Sequence, residues 1–583
     1  MSEIIVGIDL GTTNSEIAIY RDGRPEVQAD SAGRLILPSV VGLAQDGSLL
    51  VGEEARNQYI LHPERTVRSI KRLMGSDRKV SLGGRDYKPQ DVSAMILRRL
   101  KEIAEERLGA PVRKAVITVP AFFSDAQRQA TREAGEIAGL EVARIVNEPT
   151  AAALVYEAAQ QQGKRVLVYD LGGGTFDVSV VHIEDGVVEV IASHGNNHLG
   201  GDDFDHKIVE HVLDHLKIEH RADVSEDPQA MARIHRAAES AKKHLSDHPF
   251  ARIEEEYHAE VDGRPVHLAM ELARTDYEEM IAPFIEETLS AIHIALESAA
   301  LTASQIEEIL LVGGATRTPL IRNRLLEAFG RPARGEVDPD LCVAMGAAIQ
   351  GAAIAGEKVS AELVDVTPYT FGTSALGELG GNLYPYCFVP IIPKNTPIPV
   401  RKSEAFATVT DNQKVVEVRI FQGENENALE NIQIGEFRVD DLADAPAGNI
   451  IILDLALDRD GILHVSAKEK ATGLEQRITI DKAMSRYDED EIEEARQHID
   501  QLFGEATSET ALAADAEGSA AADPKIVALL AKARTKLDSA IAEDRAEIVD
   551  LIEAIEDSRA SGDAAGLADA VSRLDDLLFY LET

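Results

Sequence analysis

Two short segments of this chain carry the same chemical pattern. Val6-Gly-Ile-Asp9-Leu-Gly11-Thr12-Thr13-Asn14-Ser15 and Val168-Tyr-Asp170-Leu-Gly172-Gly173-Gly174-Thr175-Phe-Asp177 each run from an apolar strand into Asp, then Gly and Thr. Glycine lets backbone N–H groups come close to a phosphate chain, and the hydroxyls add donors. Asp9 and Asp170 could face one Mg²⁺ and hold it largely through water. A single Asp-x-Gly-Thr turn is common structural punctuation. Two copies about 161 positions apart, in matched strand–turn–strand settings, point instead to a duplicated nucleotide fold. A third Gly-rich element, Leu310-Leu-Val-Gly313-Gly314-Ala315-Thr-Arg317, follows a strand and precedes a helix. Alone it reads as a tight βα turn, and beside the two Asp motifs it reads as an adenosine-side loop. Neither a Walker A loop nor G-x-G-x-x-G stands in proper context, so P-loop and dinucleotide-oxidoreductase readings fail.

The elements that must position these residues alternate. Ile4 to Ile8, Val116 to Val119, Val166 to Tyr169, Val187 to Ala192 and Ile309 to Val312 are strand-sized. Helix-like stretches at 91–107, 125–138, 203–218 and 228–245 lie between them, which implies layered α/β architecture. Residues 367–482 change to short alternating runs separated by turn residues, with Asp458-Arg-Asp-Gly461 as a hairpin turn, and read as antiparallel β. From about 486 helical spacing returns through Ile492, Ala495, Ile499 and Leu502. Residues 505–523 read as a flexible connector before further helices in a small bundle.

The chain has 583 residues, with 59 Lys and Arg against 101 Asp and Glu, a net charge of −42. That charge excludes a phosphate-backbone reader and a protein held on an anionic membrane. A nucleotide remains admissible, because backbone N–H groups and one or two lysines suffice to hold it. Two cysteines, Cys342 and Cys387, rule out a disulfide framework and suit a reducing compartment. Neither a signal peptide nor a long apolar run is visible, so a cytoplasmic location is expected.

Taken together, IDLGTTNS, VPAFF (119–123), NEPTAAA (147–153), DLGGGTFD, LVGGATRTP and DGILHVSAKEKATG (460–473) resemble the DnaK chaperone family, the heat-shock 70 proteins, in the family's order. The resemblance implies an actin-like ATPase domain of duplicated ribonuclease-H-like fold at 1–358, a linker at 359–366, a β-sandwich peptide-binding domain at 367–485 and an α-helical lid at 486–583. ATP or ADP with Mg²⁺, and K⁺ as a further ion, are the implied cofactors. Asp9 and Asp170 would position Mg²⁺ through water. Gly11, Thr12, Thr13, Asn14, Gly172, Gly173, Gly174 and Thr175 would meet the phosphates. Lys71, Glu148, Thr175 and Asp177 match the groups around the γ-phosphate and attacking water. Glu239, Lys242, Lys243, Ser246, Gly313, Gly314, Ala315, Arg317 and Asp340 match the adenosine side; alone, 239–246 reads equally well as a solvated helix face.

For coupling, Pro120 and Arg128 match the family's proline switch and relay arginine, and Arg144 matches the surface arginine that meets J-domain proteins. The linker aligns with Ala361-Glu362-Leu363-Val364-Asp365, where Ala and Glu stand at two positions the family keeps apolar. Leu376, Phe406, Val409, Val416 and Val418 match positions of the peptide cleft, and Thr373 replaces a residue that is usually apolar. The stretch Lys71 to Pro120 spans 49 positions and looks short for the main bacterial DnaK, which weighs against dependence on a GrpE-type exchange factor. With Pro-Tyr-Thr-Phe-Gly (368–372) and Gln-Gly-Glu-Asn (422–425) it is similar to the HscC-type branch.

The implied function is an ATP-driven chaperone for extended apolar segments of unfolded clients, assisted by a J-domain protein. A small-molecule kinase or an actin-like filament ATPase of the same nucleotide fold would leave the β and helical regions without a role. His194, His198, His206, His211, His215 and His220 cluster in sequence, but without His-Glu-x-x-His or a nearby Cys they read as ordinary histidines rather than a metal site. Residues 488–583 carry 25 acidic and 8 basic side chains, a net −17. That concentration on the expected lid suggests a preference for clients with basic flanks.

Overall fold

The two Asp-Gly-Thr segments fold into matching hairpins, each the centre of its own sheet. In the first, strand Ile5–Leu10 runs parallel to Lys114–Val119 and antiparallel to Asn14–Arg21. In the second, Lys164–Leu171 runs parallel to Glu308–Val312 and antiparallel to Phe176–Glu184. Both central strands are buried almost throughout, so continuous apolar runs were needed and not an alternating pattern. The register puts Asp9 opposite Glu16 and Asp170 opposite Asp177. Each hairpin thus carries a pair of acids across its turn.

The computed structural model describes residues 4–157, 163–261, 264–334, 338–359, 362–479, 487, 489–517, 551, 571, 573 and 574. It separates into a unit up to Asp500 and a second unit, Gln501–Thr583. Within the first, the helices expected from spacing run Pro89–Leu108, Asp125–Ile137, Gly201–His220 and Pro228–Asp247. Small residues bring two further helices, Glu148–Glu157 and Cys342–Ile354, close to the first sheet. A Cβ on Gly346 would overlap the Ala151 carbonyl, one on Gly7 the Ala347–Ala348 peptide, and one on Gly351 would lie 2.7 Å from the Ile5 carbonyl oxygen. Glycine at these positions is a packing requirement.

Beyond residue 370 two four-stranded antiparallel sheets face each other. One joins Asn382–Ile392, Phe371–Leu379, Val416–Gln422 and Ile432–Val439; the other joins Val400–Ala407, Ile450–Leu457, Leu463–Glu469 and Glu475–Thr479. Phe371, Ile420, Ile434, Leu453, Leu455 and Val465 fill the space between them, which makes a β-sandwich.

The segment read as a linker is a strand. Glu362–Val366 extends the second α/β sheet, with Val187, Val188 and Glu189 opposite Glu362, Leu363 and Val364 in parallel. Its other edge receives Pro397–Ile398 from the sandwich. Leu363, Val364 and Val366 give the segment strand propensity, and the pairing itself is a long-range choice. The connector expected at 505–523 also changes: a single helix runs Glu489–Glu517. Ala506, Ala511, Ala513, Ala514 and Ala516 favour helix, and after Gly504 neither Gly nor Pro stands in the run up to Glu517; residues 518–523 lie outside the described residues. The apolar positions expected at 529–555 and 567–581 lie outside the described residues, apart from Val571 and a buried Leu574.

Gly346→Val is expected to destabilise the α/β unit by about 1–3 kcal/mol or more, because backbone and not a flexible side chain occupies the space. Gly504→Ala, with nothing near its Cβ position, should be neutral or slightly stabilising. Thermal unfolding of both variants checks the pair.

Candidate functional site

The hairpin turns face each other across a cleft. Cβ atoms on Gly173 and Gly174 would run into Thr13 and Thr12, so these glycines let the two turns touch. One cavity there is lined by Asp9, Gly11, Thr12, Thr13, Asn14, Lys71, Glu148, Asp170, Gly172, Gly173, Thr175, Gly313, Gly314 and Asp340, with Glu16 added. A second, of about 650 Å³, continues from it past Glu239, Lys242, Lys243, Ser246, Gly314, Ala315, Arg317 and Asp340. The three Gly-rich elements and the helix face at 239–246 therefore open on one space. Asp177 sits behind it, buried, and Gly174 packs on Thr12.

Lys71 is the cation of this cleft. It lies on the short turn Ile70–Leu73 and donates from Nζ to Glu148 Oε1 at 2.5 Å, with both groups buried. Asp9 accepts from Thr118 Oγ1 at 3.1 Å. Asp177 accepts from the Ala121 N–H at 3.2 Å and the Phe122 N–H at 3.0 Å. Burial pushes Asp9 up to about 7, with the Glu148 charge adding to it and Lys71 opposing. Burial, then Glu148, holds Asp177 at about 7 despite its two backbone donors. Asp170 and Glu16 are pushed well above the usual carboxylate range, again chiefly by burial.

These carboxylates exceed the positive charge that the fold gives them, so the cleft suits a bound cation. Among the described residues no three His, Cys, Asp or Glu side chains gather tightly enough to hold a metal directly. The donor set fits a hydrated divalent ion, held by Asp9 and Asp170 through its water shell.

The adenosine-side residues are themselves tethered. Lys242 donates to the Gly201 carbonyl at 2.9 Å and to Asp205 at 2.8 Å, while Lys243 pairs with Glu239 at 2.5 Å. Arg317 holds Asp338 at 2.9 Å and Asp340 at 2.7 Å, and Gly314 packs against Asp340. Gly313 needs its φ of +81° to clear the Leu171 carbonyl.

Sequence reasoning missed the groups that close the cleft. Ser69 donates to Asp202 at 2.7 Å and Thr13 to the same carboxylate at 3.3 Å, while Arg72 forks onto Asp203 at 2.5 and 3.2 Å. Glu16 was missed too, although a signal existed. The seven-residue step from Asp9 to Glu16 repeats that from Asp170 to Asp177.

From Asp177 a chain of contacts leads outward. Ala121 and Phe122, which hold it, follow the buried Pro120. The buried Arg128 donates to the Ala121 carbonyl at 3.1 Å and to Asn147 at 2.6 Å. Asn147 donates to Asp365 of the connecting strand at 2.8 Å, and Tyr369 donates to the Phe122 carbonyl at 2.7 Å. Arg132 pairs with Asp460 of the sandwich hairpin at 2.7 Å. Arg144, expected at the surface, is half-buried beside the charges of Asp460 and Asp365, because the hairpin turn comes over it.

The five positions expected to line a peptide cleft do not share one environment. Val418 lies in the sandwich core at 5% exposure, and Phe406 and Val416 pack on that core from outside. Leu376 and Val409 are 49% and 62% exposed. The Thr373 hydroxyl is buried and donates to the Arg419 carbonyl at 2.8 Å, so the polar group is satisfied within the sandwich.

The raised carboxyls make stability depend on pH with a definite sign. Between 3.8, the ordinary Asp9 value, and about 7 in the fold, the folded state binds more protons than the unfolded. Stability therefore falls as pH rises through that window. Asp9→Asn removes the group, so in metal-free, nucleotide-free buffer its stabilisation is expected to be larger at pH 8 than at pH 5.5, by on the order of 2 kcal/mol. Calorimetric midpoints at the two pH values measure it, and a gain independent of pH would show that Asp9 ionises freely in the fold.

The Hsp70 protein family model matches residues 5–80 and 77–580. The Chaperone protein DnaK of Thermotoga neapolitana is 48% identical over 512 residues, covering 86% of this chain and 84% of its own length. That of Thermosipho melanesiensis is 48% identical over 510 residues, with the same coverage of 86% and 84%. That of Thermosipho africanus is 49% identical over 486 residues, 82% of this chain and 80% of its own. A nucleotide-shaped cleft, a β-sandwich and similarity of this extent lead to one conclusion: the chain belongs to the Hsp70 family of ATP-dependent molecular chaperones.

Proposed function

We propose that this chain hydrolyses ATP in the cleft and uses the hydrolysis to switch the sandwich between releasing and retaining extended apolar segments of unfolded clients. The observation that carries this reading is the unbroken set of contacts from Asp177 through Ala121, Arg128 and Asn147 to Asp365 in the connecting strand. A change at the nucleotide alters what Asp177 accepts, and its backbone donors are part of the same loop that receives Tyr369.

In the hydrolysis step Lys71 stands near the γ-phosphate and the attacking water, and Glu148, Thr175 and Asp177 surround that water. Asp177 can take a proton near neutral pH because burial raises it to about 7. Thr12, Thr13, Asn14 and the Gly11 and Gly172–Gly174 backbones orient the phosphates. Glu239, Lys242, Lys243, Ser246, Gly313, Gly314, Ala315, Arg317 and Asp340 frame the adenosine. Mg²⁺, held by Asp9 and Asp170 through water, would neutralise charge on the phosphate oxygens when bound. Catalysis of this kind is mostly positioning and charge stabilisation, so a single strong base is unnecessary.

The regions divide at 1–358, 359–366, 367–485 and 486–583, as ATPase, linker, peptide-binding and lid. Leu376, Val409 and Phe406 offer the apolar contact for a client, with Val416 and Val418 supporting the cleft from beneath. Arg144, half-buried beside Asp460 and Asp365, suits a J-domain protein that reads the docked linker. K⁺ near the phosphates completes the reading, and the short stretch from Lys71 to Pro120 weighs against dependence on a GrpE-type exchange factor. No helix among the described residues is long and apolar enough to cross a membrane. A cytoplasmic site of action fits this.

Single-turnover ATP hydrolysis with and without peptide and J-domain protein tests the reading. Lys71→Ala is expected to slow the step by about 10²–10³-fold while nucleotide binding persists. Asn147→Ala should keep basal turnover within a few-fold and lose stimulation by peptide. If ATP leaves the peptide release rate of the unaltered chain unchanged, the coupling reading fails.

A further inference from the structure

Beside the nucleotide space lies a separate cavity of about 290 Å³, roughly ten water volumes. It opens between the two α/β halves. Arg56 and Arg68 come from the first half; Arg236 and Lys243 come from helix Pro228–Asp247 of the second. One carboxylate, Glu239, stands among these four cations, and Tyr59 forms part of an apolar wall. Thr12, Thr13 and Asn14 line both this cavity and the cleft, so the two spaces adjoin along the first Gly-Thr turn.

Three of the cations have carboxylate partners: Arg56 with Glu53 at 2.8 Å, Arg236 with Glu255 at 2.8 Å and Lys243 with Glu239 at 2.5 Å. Arg68 has none within ion-pair distance among the described residues; its guanidinium lies over the Tyr59 ring at 5.1 Å. Four cations converging on one opening are unexpected in a chain of net charge −42, where self-repulsion is between acids. His235, on the same helix as Arg236, is pushed down to about 4 by burial and then by the charge of Arg68, while burial of Arg68 is opposed by the charges of Asp202, Glu239 and Asp205.

We propose that this cavity is a subsite for a polyvalent phosphate anion, adjoining the nucleotide site, with which it shares Thr12, Thr13, Asn14, Glu239 and Lys243, and bridging the two halves of the α/β unit through Arg56, Arg68 and Arg236. Guanidinium forks match phosphate oxygens, and cations contributed by both halves pull the cleft shut when an anion sits between them. An occupant there stabilises the closed form, and by reciprocity it slows departure of the nucleotide beside it. The anion can be free, as inorganic phosphate or pyrophosphate, or it can be the phosphate tail of a nucleotide entering the cleft. The inference rests on the nucleotide reading only for the identity of the neighbour.

The test uses the full chain loaded with a fluorescent ADP analogue and chased with unlabelled ADP. Ionic strength and free Mg²⁺ are held constant while inorganic pyrophosphate or phosphate is added. Pyrophosphate is expected to slow release by about tenfold at about ten times its dissociation constant. Phosphate beside ADP at the vacated terminal-phosphate position would also slow release, so the variants separate the two sites: slowing that survives removal of the cavity arginines overturns the subsite. Arg68→Gln combined with Arg236→Gln should abolish the slowing, and Arg68→Lys should keep part of it. Arg56→Gln with Arg236→Gln, both at exposed positions, gives a second loss-of-effect variant that does not disturb the interior.

If the natural occupant is the tail of an incoming nucleotide, free pyrophosphate leaves release unchanged. The charge-removing pairs then slow association of labelled ATP at low salt, by about tenfold, without altering its release. Absence of both effects, in protein whose ADP binding is intact by calorimetry, overturns the subsite. Loss of ADP binding in the unaltered chain would overturn the nucleotide reading instead.

Discussion

Carboxylates taken out of water around a single lysine are the constraint on which the rest of this molecule depends. Asp9, Asp170 and Asp177 all feel Lys71, which already pairs with Glu148. Burying that much negative charge is unfavourable without a partner, and the fold does not supply one. It instead builds the surroundings rigidly enough that the acids cannot escape to solvent. Buried hairpins, backbone donors to Asp177 and glycine-permitted contact between the two turns all serve to hold them. A cleft with an unmet demand for positive charge suits a cation.

The same constraint gives the molecule a way to transmit occupancy. Asp177 is held by the backbone of residues 121–122, and that loop is shared with Arg128, Tyr369 and Asn197. Any change in what Asp177 must accept is felt by a loop with few spare donors. The connecting strand then joins sheet to sandwich, because Glu362–Val366 pairs with the α/β sheet on one edge and with Pro397–Ile398 on the other. A strand paired on both edges ties the α/β sheet to the sandwich through backbone hydrogen bonds.

Charge is distributed in opposition to its mean. The chain as a whole is strongly acidic, yet the edges of the nucleotide region collect Arg56, Arg68, Arg236 and Lys243. Interlobe pairs such as Arg72–Asp203 then close the cleft through contacts that are partly shielded from solvent. These cations stand beside a cleft whose interior is itself rich in buried carboxylates.

The chain's sequence was sufficient for the repeated hairpins, the order of α/β, β and helical regions, and most residues of the cleft. Those features are written locally: an apolar run, an Asp, glycines and threonines within a few positions. The seven-residue step shared by Asp9–Glu16 and Asp170–Asp177 was equally local and could have exposed Glu16. What only the tertiary structure decided are the partnerships. Lys71 and Glu148 are 77 positions apart, Ser69 and Asp202 are 133, and Asn147 and Asp365 are 218. The role of Gly346 depends on Ala151 lying against it, and the connecting segment became a strand because Val187–Glu189 offered it an edge. Spacing along a chain fixes which face a residue takes within its own helix or strand. Which face meets which is set by the cooperative burial of many elements, and no single segment carries that information.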